Sequence, residues 1–305
     1  MNTLVPLPGA GTHGRPAANF VDCPGWPASS FAPRCAAGGR RRPAPAPLTT
    51  AMLLTCHSLS AIDWGALPAA GLPGTPGGVV VCRVAVAENQ HHSPRLLGLL
   101  TGAEQQRARR YHAAADYHRF VIGRATLRLL LGGCLGLPPT ALHFAPGDNH
   151  KPILATAPEL HYNVSHSGNW VLIAIAAVAV GVDVEKINAQ FPYEEVLEHS
   201  FSEPEKTFIE RHPARPAAFY RLWTRKEAFV KATAQGIDAD FTRVPALDGR
   251  HSWQATHPNT VADWTVSSFA AAPGYVAAVA YPAAIPAGQV KFYEVGEGLL
   301  LMGKE

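Results

Sequence analysis

Charge is scarce in this chain. Only 16% of its 305 residues are Asp, Glu, Lys or Arg, and the formal net charge is +3. So small an excess does not by itself mark a binder of nucleic acid, and no nucleic-acid partner is expected. The arginines are clustered instead, at Arg40–Arg42 and at Arg107, Arg109 and Arg110. Cysteine is sparse as well: Cys23, Cys35, Cys56, Cys82 and Cys134 are scattered, odd in number, and form no C-x-x-C pair. That spacing suits neither a disulfide scaffold nor a closed zinc site, and points to reduced thiols in a cytoplasmic protein. Long apolar runs are lacking too. The longest, Val171–Val182, falls short of the roughly 18 residues of a membrane span. It ends at Asp183, so it reads as a buried pair of strands and no membrane partner is expected.

What is present is enough hydrophobic material, 47% of residues, to bury a sizeable core. Residues 1–50 differ from the rest, being dominated by Pro, Ala, Gly and Arg with no apolar period. Such a segment cannot bury enough surface to offset its ordering entropy, and a disordered tail is expected. Two other readings stay open. Arg40–Arg42 stand ahead of a short apolar stretch around Leu53, as in a targeting peptide, and Met52 could be the initiator. The stretch is broken by Thr, Cys and His and lacks a clear cleavage site, which favours the plain tail.

From residue 77 the chain carries element signals. The alternating, β-branched Val79–Val86 reads as a strand. Thr101-Gly-Ala-Glu104 is a capping box opening a basic helix through Arg110. A second helix is expected from Asp116, burying Tyr117, Phe120, Val121, Leu127, Leu130 and Leu131 and ending at Gly132-Gly133. Strands follow near residues 142–144, 161–164, 171–176 and 180–184. After a short helix at Pro192, a second capping box at Ser202–Glu205 starts a helix to about Arg211. The longest helix is expected over residues 214–235, stopping at Gly236. Further strands are expected near residues 241–244, 264–269, 275–280 and 290–295. Each half thus reads strand, helices, strands. The order predicts an α+β protein of two similar lobes, residues 51–176 and 177–305, with a metal site at their interface.

Three constellations carry chemistry. In Gly181-Val-Asp183-Val-Glu185-Lys186, alternation along a strand puts both carboxylates on one face and the valines behind. Paired hard oxygens suit Mg²⁺, although a solvated strand end shows the same pattern. In Trp223-Thr-Arg-Lys226-Glu227-Ala-Phe-Val-Lys231, Glu227 and Lys231 share a helix face. A surface ion pair would also fit, but Trp223, Phe229 and Val230 make this a packed helix. The third is Lys151-Pro152 together with Asn163-Val-Ser165-His166-Ser167-Gly168, a donor-rich turn of the kind that phosphate recognition needs. Taken singly, His166 fits a satisfied core histidine and Lys151 a loop lysine.

Jointly, GVDVEK, the W-x-x-KEA-x-x-K helix and the KP…N-x-SHS segment resemble the Sfp-type 4′-phosphopantetheinyl transferases, over roughly residues 97–295 and most strongly between Arg107 and Gly236. The resemblance implies a pseudo-dimeric α+β fold, each lobe an antiparallel sheet packed with helices, with coenzyme A in the cleft between them. It implies Mg²⁺ held by Asp183, Glu185 and Glu227, and Lys231 as the family lysine one turn after that glutamate. It also implies coenzyme A contacts from Arg107, Arg119, Lys151, Pro152, Ser165, His166 and Asp183. Two positions depart from the family: Glu104 stands where some relatives carry a phosphate-binding lysine, and Phe120 where some carry a small hydroxyl residue. Both predict a weaker grip on the 3′-phosphate.

The activity implied is transfer of 4′-phosphopantetheine from coenzyme A to a carrier-protein serine, releasing 3′,5′-ADP. Glu227 is the expected base, directly or through a metal-bound water, and Lys231 steadies the leaving phosphate. The expected partner is a small acidic acyl or peptidyl carrier protein, and a monomer is expected because both lobes lie in one chain.

Overall fold

The computed structural model describes residues 51–72, 74–235, 241–254 and 263–302. The tail expected over residues 1–50 and the helix stop expected at Gly236 lie outside the described residues.

The described chain opens with β1 (Ala51–Ser58), the two-residue β2 (Gly65–Ala66) and β3 (Val79–Ala85). Short helical turns lead to α1 (Gly102–Ala108) and α2 (Ala114–Leu135). A small hairpin of β4 (Phe144–Pro146) and β5 (Pro152–Leu154) precedes β6 (His161–Ser167), β7 (Trp170–Ala176) and β8 (Gly181–Lys186). Next come α3 (Glu194–Ser200), α4 (Glu203–Arg211) and α5 (Arg215–Thr233). The described chain closes with β9 (Gly249–Gln254), β10 (Trp264–Ala272), β11 (Tyr275–Pro282), β12 (Val290–Glu294) and α6 (Glu297–Leu301).

One sheet has the order β2-β12-β3-β7-β6 and the other β8-β11-β10-β1-β9. The same unit is used twice. In β3, α2, β6–β7 the first strand pairs with the second strand of the hairpin; in β8, α5, β10–β11 it does so again. This is the α+β, two-lobed architecture expected from the sequence.

The sheets are mixed rather than purely antiparallel. β1 runs parallel to β10, and β12 runs parallel to both β3 and β2. Parallel neighbours need a long connection, and here it crosses from one lobe to the other. Strand membership therefore does not follow residues 51–176 and 177–305: β1 joins the second sheet and β12 the first. The expected strand pair in residues 171–182 also divides, because β7 belongs to the first sheet and β8 to the second.

Both capping boxes form, Thr101 with Glu104 and Ser202 with Glu205. α2 runs past Gly132-Gly133 and stops at Gly136, whose φ of 65° is the left-handed turn that ends a helix. It is longer than α5, which ends at Ala234 in the same left-handed conformation (φ 52°). Residues 241–243, expected as strand, form a 3₁₀ turn. The reason is that the Lys226 ammonium donates to the Phe241 and Val244 carbonyls at 2.7 and 2.6 Å, curling that segment around one cation.

Among the described residues four apolar clusters pack the fold, one of them joining α3 and α4 to α5 through Leu197, Phe201, Ile209 and Phe219. On one face of the first sheet, Val171, Ile173 and Ile175 meet Val121, Leu127, Leu130 and Leu131 of α2, with Tyr117 and Phe120 at the margin. On the outer face of the second sheet, Phe229 and Val230 of α5 pack with Trp253, Trp264, Met52 and Leu54. Between the sheets, Val79, Val81, Leu172 and Ala174 meet Val182, Val184, Phe269 and Val279. No described helix is long and apolar enough to cross a membrane.

Candidate active site at the junction of the two lobes

β8 is where the two units touch, and its alternation decides what points where. Val182 and Val184 enter the core shared by the sheets, which turns Asp183 and Glu185 to the opposite face, toward α5. Gly181 permits that approach. A Cβ built there would lie 2.1 Å from the Ala228 carbonyl oxygen and 2.4 Å from the Ala232 amide nitrogen, so only glycine lets the strand press onto α5. The same turn of α5 carries Glu227 and Lys231.

The Lys231 ammonium donates to Asp183 Oδ1 at 2.6 Å and stands 3.9 Å from Glu227 Oε2. It therefore stands near both acids, a bridge from α5 to β8 that the shared helix face of Glu227 and Lys231 did not by itself indicate. Asp183 is only 3% exposed. Three carboxylates and a single ammonium thus share a poorly solvated corner.

The electrostatics follow from that imbalance. Burial, and then the Asp183 carboxylate beside it, push Glu185 up to about 8. Burial pushes Glu227 up to about 7, with Lys231 pulling it back and Asp183 adding to the rise. Asp183 Oδ2 is buried and accepts no hydrogen bond. A buried carboxylate oxygen without a partner is an unmet acceptor, and oxygen ligands of this kind suit a small hard cation such as Mg²⁺. Asp183, Glu185 and Glu227 supply the oxygen type that Mg²⁺ takes, but their ligand atoms are not all gathered within 4.8 Å of one another.

A polar seam fixes the acids in place. β6 and β8 are edge strands of different sheets, and side chains of β6 take the place of a backbone ladder. Asn163 Oδ1 accepts from the Val182 amide at 2.8 Å, Ser165 Oγ from Val184 at 3.3 Å, and Ser167 Oγ from Lys186 at 3.0 Å. Two of these groups also hold the acids: Ser165 Oγ donates to Asp183 Oδ1 and Ser167 Oγ to Glu185 Oε2, both at 2.8 Å. Sequence reasoning singled out Ser165 but missed this use of Asn163 and Ser167. The period-2 spacing of Asn163, Ser165 and Ser167 was the available signal.

The other expected residues are placed less centrally. The strand alternation that sends Ser165 and Ser167 to β8 sends His166 to the face shared with Tyr162 and Val164, toward α2. From α2, Arg119 donates to the Gly168 carbonyl at 3.1 Å and pairs with Asp116 at 2.7 Å, so it does meet the His166 turn. Lys151 donates to the Val180 carbonyl at 3.0 Å and the Ala232 carbonyl at 3.3 Å, tying its loop to β8 and the end of α5. Pro152 opens β5 opposite Pro146. Arg107 lies over the Phe120 ring, 5.2 Å from its centroid.

The two departures have structural partners. Glu104, besides capping α1, makes ion pairs with Arg124 and Arg128 of α2. Burial raises its pKa, but those guanidiniums and the Thr101 amide outweigh it and the net shift is downward. Phe120 packs against Tyr111 with centroids 5.5 Å apart and carries Arg107. A further pair missed from sequence anchors α5: Lys226 and Glu205 meet at 2.9 Å with side chains 0% and 2% exposed. Removing either partner of so buried a pair typically costs about 3–5 kcal/mol.

Comparison with known proteins gives the same region. Residues 179–280 match the 4′-phosphopantetheinyl transferase superfamily and residues 89–178 match the family described as 4′-phosphopantetheinyl transferase, N-terminal. The chain is 32% identical over 178 residues to the 4′-phosphopantetheinyl transferase psf-1 of Bacillus pumilus, covering 56% of this chain and 74% of that protein. It is 26% identical over 197 residues to 4′-phosphopantetheinyl transferase Sfp of Bacillus subtilis strain 168, covering 63% and 86%. A further Bacillus subtilis 4′-phosphopantetheinyl transferase is 29% identical over 145 residues; there the match spans 47% of this chain and 64% of the relative.

Proposed function

The chain belongs to the 4′-phosphopantetheinyl transferase superfamily, and from that membership we propose that it moves the 4′-phosphopantetheine of coenzyme A onto a serine of an apo carrier protein. The observation that carries the proposal is the convergence of Asp183, Glu185, Glu227 and Lys231 where β8 meets α5.

In this reading the serine hydroxyl oxygen bonds to the pantetheine-side phosphorus. The bond from that phosphorus to the bridging oxygen breaks, and 3′,5′-ADP leaves with the electron pair. The serine proton passes to Glu227, which α5 carries to the junction beside Lys231. Lys231 turns its ammonium from Asp183 and Glu227 to the leaving phosphate, a reach that its 26% exposed side chain allows. Asp183, Glu185 and Glu227 would hold Mg²⁺, which when bound neutralises charge on the pyrophosphate. Ser165 and Ser167 keep the first two acids oriented. Arg107, Arg119, Lys151, Pro152 and His166 border the coenzyme A path on the first-lobe side. The partner is a small acidic carrier protein, and the enzyme works as a monomer in the cytoplasm.

The test is intact-mass spectrometry of an apo carrier domain incubated with this protein, coenzyme A and Mg²⁺. A gain of one phosphopantetheine that EDTA abolishes supports the reading. No gain on several carriers, with coenzyme A still bound, replaces it with a catalytically silent binding module.

A further inference from the structure

Away from the junction, His91, His92 and Glu297 bring three ligating atoms within 4.8 Å of one another. His91 and His92 end the 3₁₀ turn Gln90–His92 that follows β3, and Glu297 begins α6, some two hundred residues later in the chain. The two imidazoles lie with centroids 3.8 Å apart, both turned toward one carboxylate oxygen. Glu297 Oε1 is 3.2 Å from His92 Nε2 and 3.9 Å from His91 Nε2.

The second observation concerns His92 itself. It is 8% exposed, and its Nε2 is buried without a hydrogen-bond partner. The carboxylate oxygen is near enough to accept but lies off the line that a ring N–H would need. A buried nitrogen beside an oxygen to which it does not hydrogen-bond is an unexplained cost for a plain ion pair. It is the expected geometry for two ligands aimed at a common third point. With metal–ligand bonds of about 2.0–2.1 Å, neighbouring ligands of a tetrahedral ion stand about 3.3 Å apart. The His92–Glu297 separation meets that spacing, and His91, whose side chain is 62% exposed, can close the remainder by rotation.

We infer that His91, His92 and Glu297 form a binding site for a borderline divalent transition ion, Zn²⁺ being the type, with water completing the shell. Two imidazoles and one carboxylate select this class over Mg²⁺, just as the all-oxygen set of Asp183, Glu185 and Glu227 selects the reverse. The site's place in the fold gives it a structural role. α6 follows β12, the strand that the C-terminal segment lends to the first sheet, and Leu299 and Leu300 of α6 sit in the first-lobe core. An ion here pins that returning segment to the turn after β3, next to the place where Arg95 donates to the Leu301 carbonyl.

The experiment is calorimetric titration of the untagged full chain with micromolar Zn²⁺ in millimolar Mg²⁺, so that the oxygen site is occupied by its own ion. It is paired with thermal melting of the same samples. One equivalent of Zn²⁺ should bind and raise the melting temperature. His91→Asn and Glu297→Gln alter exposed side chains and should melt like the parent without Zn²⁺, yet each should weaken binding by about tenfold or more. No uptake by the parent overturns the inference. So does uptake that both variants retain, which places the ion on other histidines. Neither result bears on carrier modification, so the transferase reading is tested separately.

Discussion

Gly181 is where the geometry makes its sharpest demand. In Gly181→Ala the new carbon would start 2.1 Å from the Ala228 oxygen, 2.4 Å from the Ala232 nitrogen and 2.9 Å from Ala232 Cα. Unstrained contacts between such atoms lie nearer about 3.5 Å, so β8 and α5 must separate by roughly 1 Å. Both neighbours are backbone, and they are the acceptor and donor of one α-helical hydrogen bond, so no side chain can swing aside. Overpacking of this kind typically costs about 1–3 kcal/mol, and the upper half of that range applies here. For a domain of this size that is a fall in Tm of roughly 4–12 °C. Catalysis should suffer more than stability. The separation moves Asp183 and Glu185 away from Glu227 and Lys231, and misplacement by about 1 Å can cost about 10²-fold in rate. The assay is carrier modification by intact mass at saturating substrates, beside thermal melts of the same preparation. Gly98→Ala is the control, since a Cβ there meets nothing within 4 Å. A Gly181→Ala enzyme with parental turnover, or with an unshifted Tm, would show that the contact between strand and helix does not hold the site.

Other expectations rest on single contacts. Glu227→Gln keeps the shape of α5 but removes the base and one acid, and should lower turnover by about 10²-fold or more while coenzyme A still binds; near-normal turnover sinks the assignment. Ser165→Ala leaves the Val184 amide and one Asp183 oxygen without their hydroxyl partner, and each loss costs about 1–3 kcal/mol. Urea titration should therefore show a lower midpoint, and an unchanged midpoint refutes the polar seam. In EDTA, the raised Glu185 and Glu227 should make stability depend on pH with a definite sign. Folded protein binds more protons than unfolded between pH about 4.5 and 8, so the contribution is full below about 4.5 and is lost as pH rises through 7 to 8. Each carboxyl adds a slope of up to about 1.4 kcal/mol per pH unit. Glu185→Gln should flatten this decline, and a variant with the parental slope would remove Glu185 as its source.

The sequence carried the facing of β8 and α5 better than the sheet plan. Period-2 alternation in Gly181–Lys186 and the helical spacing of Glu227 and Lys231 are local, and local signals survive folding. Both capping boxes are local too. The parts that were not legible depend on distant partners. β1 is read only through its pairing with β9 and β10, roughly two hundred residues away, and its sequence merges with an unpatterned tail. Residues 241–243 have the β-branched and aromatic composition of a strand, and Lys226 overrides that preference. Glu104 reads as a missing phosphate ligand until Arg124 and Arg128, a helix away, are seen to hold it.

The exchange of strands between the sheets explains why a site of this kind stays assembled. A junction made only of edge strands β6 and β8 would rest on three side-chain-to-backbone contacts, each worth about 1 kcal/mol. That is too little to hold three acids together against their mutual repulsion. β1 and β12 add full backbone ladders that cross from each half of the chain to the other. The apolar layer between the sheets, built on Val79, Leu172, Val182 and Phe269, adds burial that no single lobe could achieve. The repulsive cluster is therefore held by the whole fold, and the polar seam has only to aim Asp183 and Glu185. Substitutions at the shared core should lower Tm and activity together, whereas those at Ser165 and Ser167 should lower activity by more than their loss of stability accounts for.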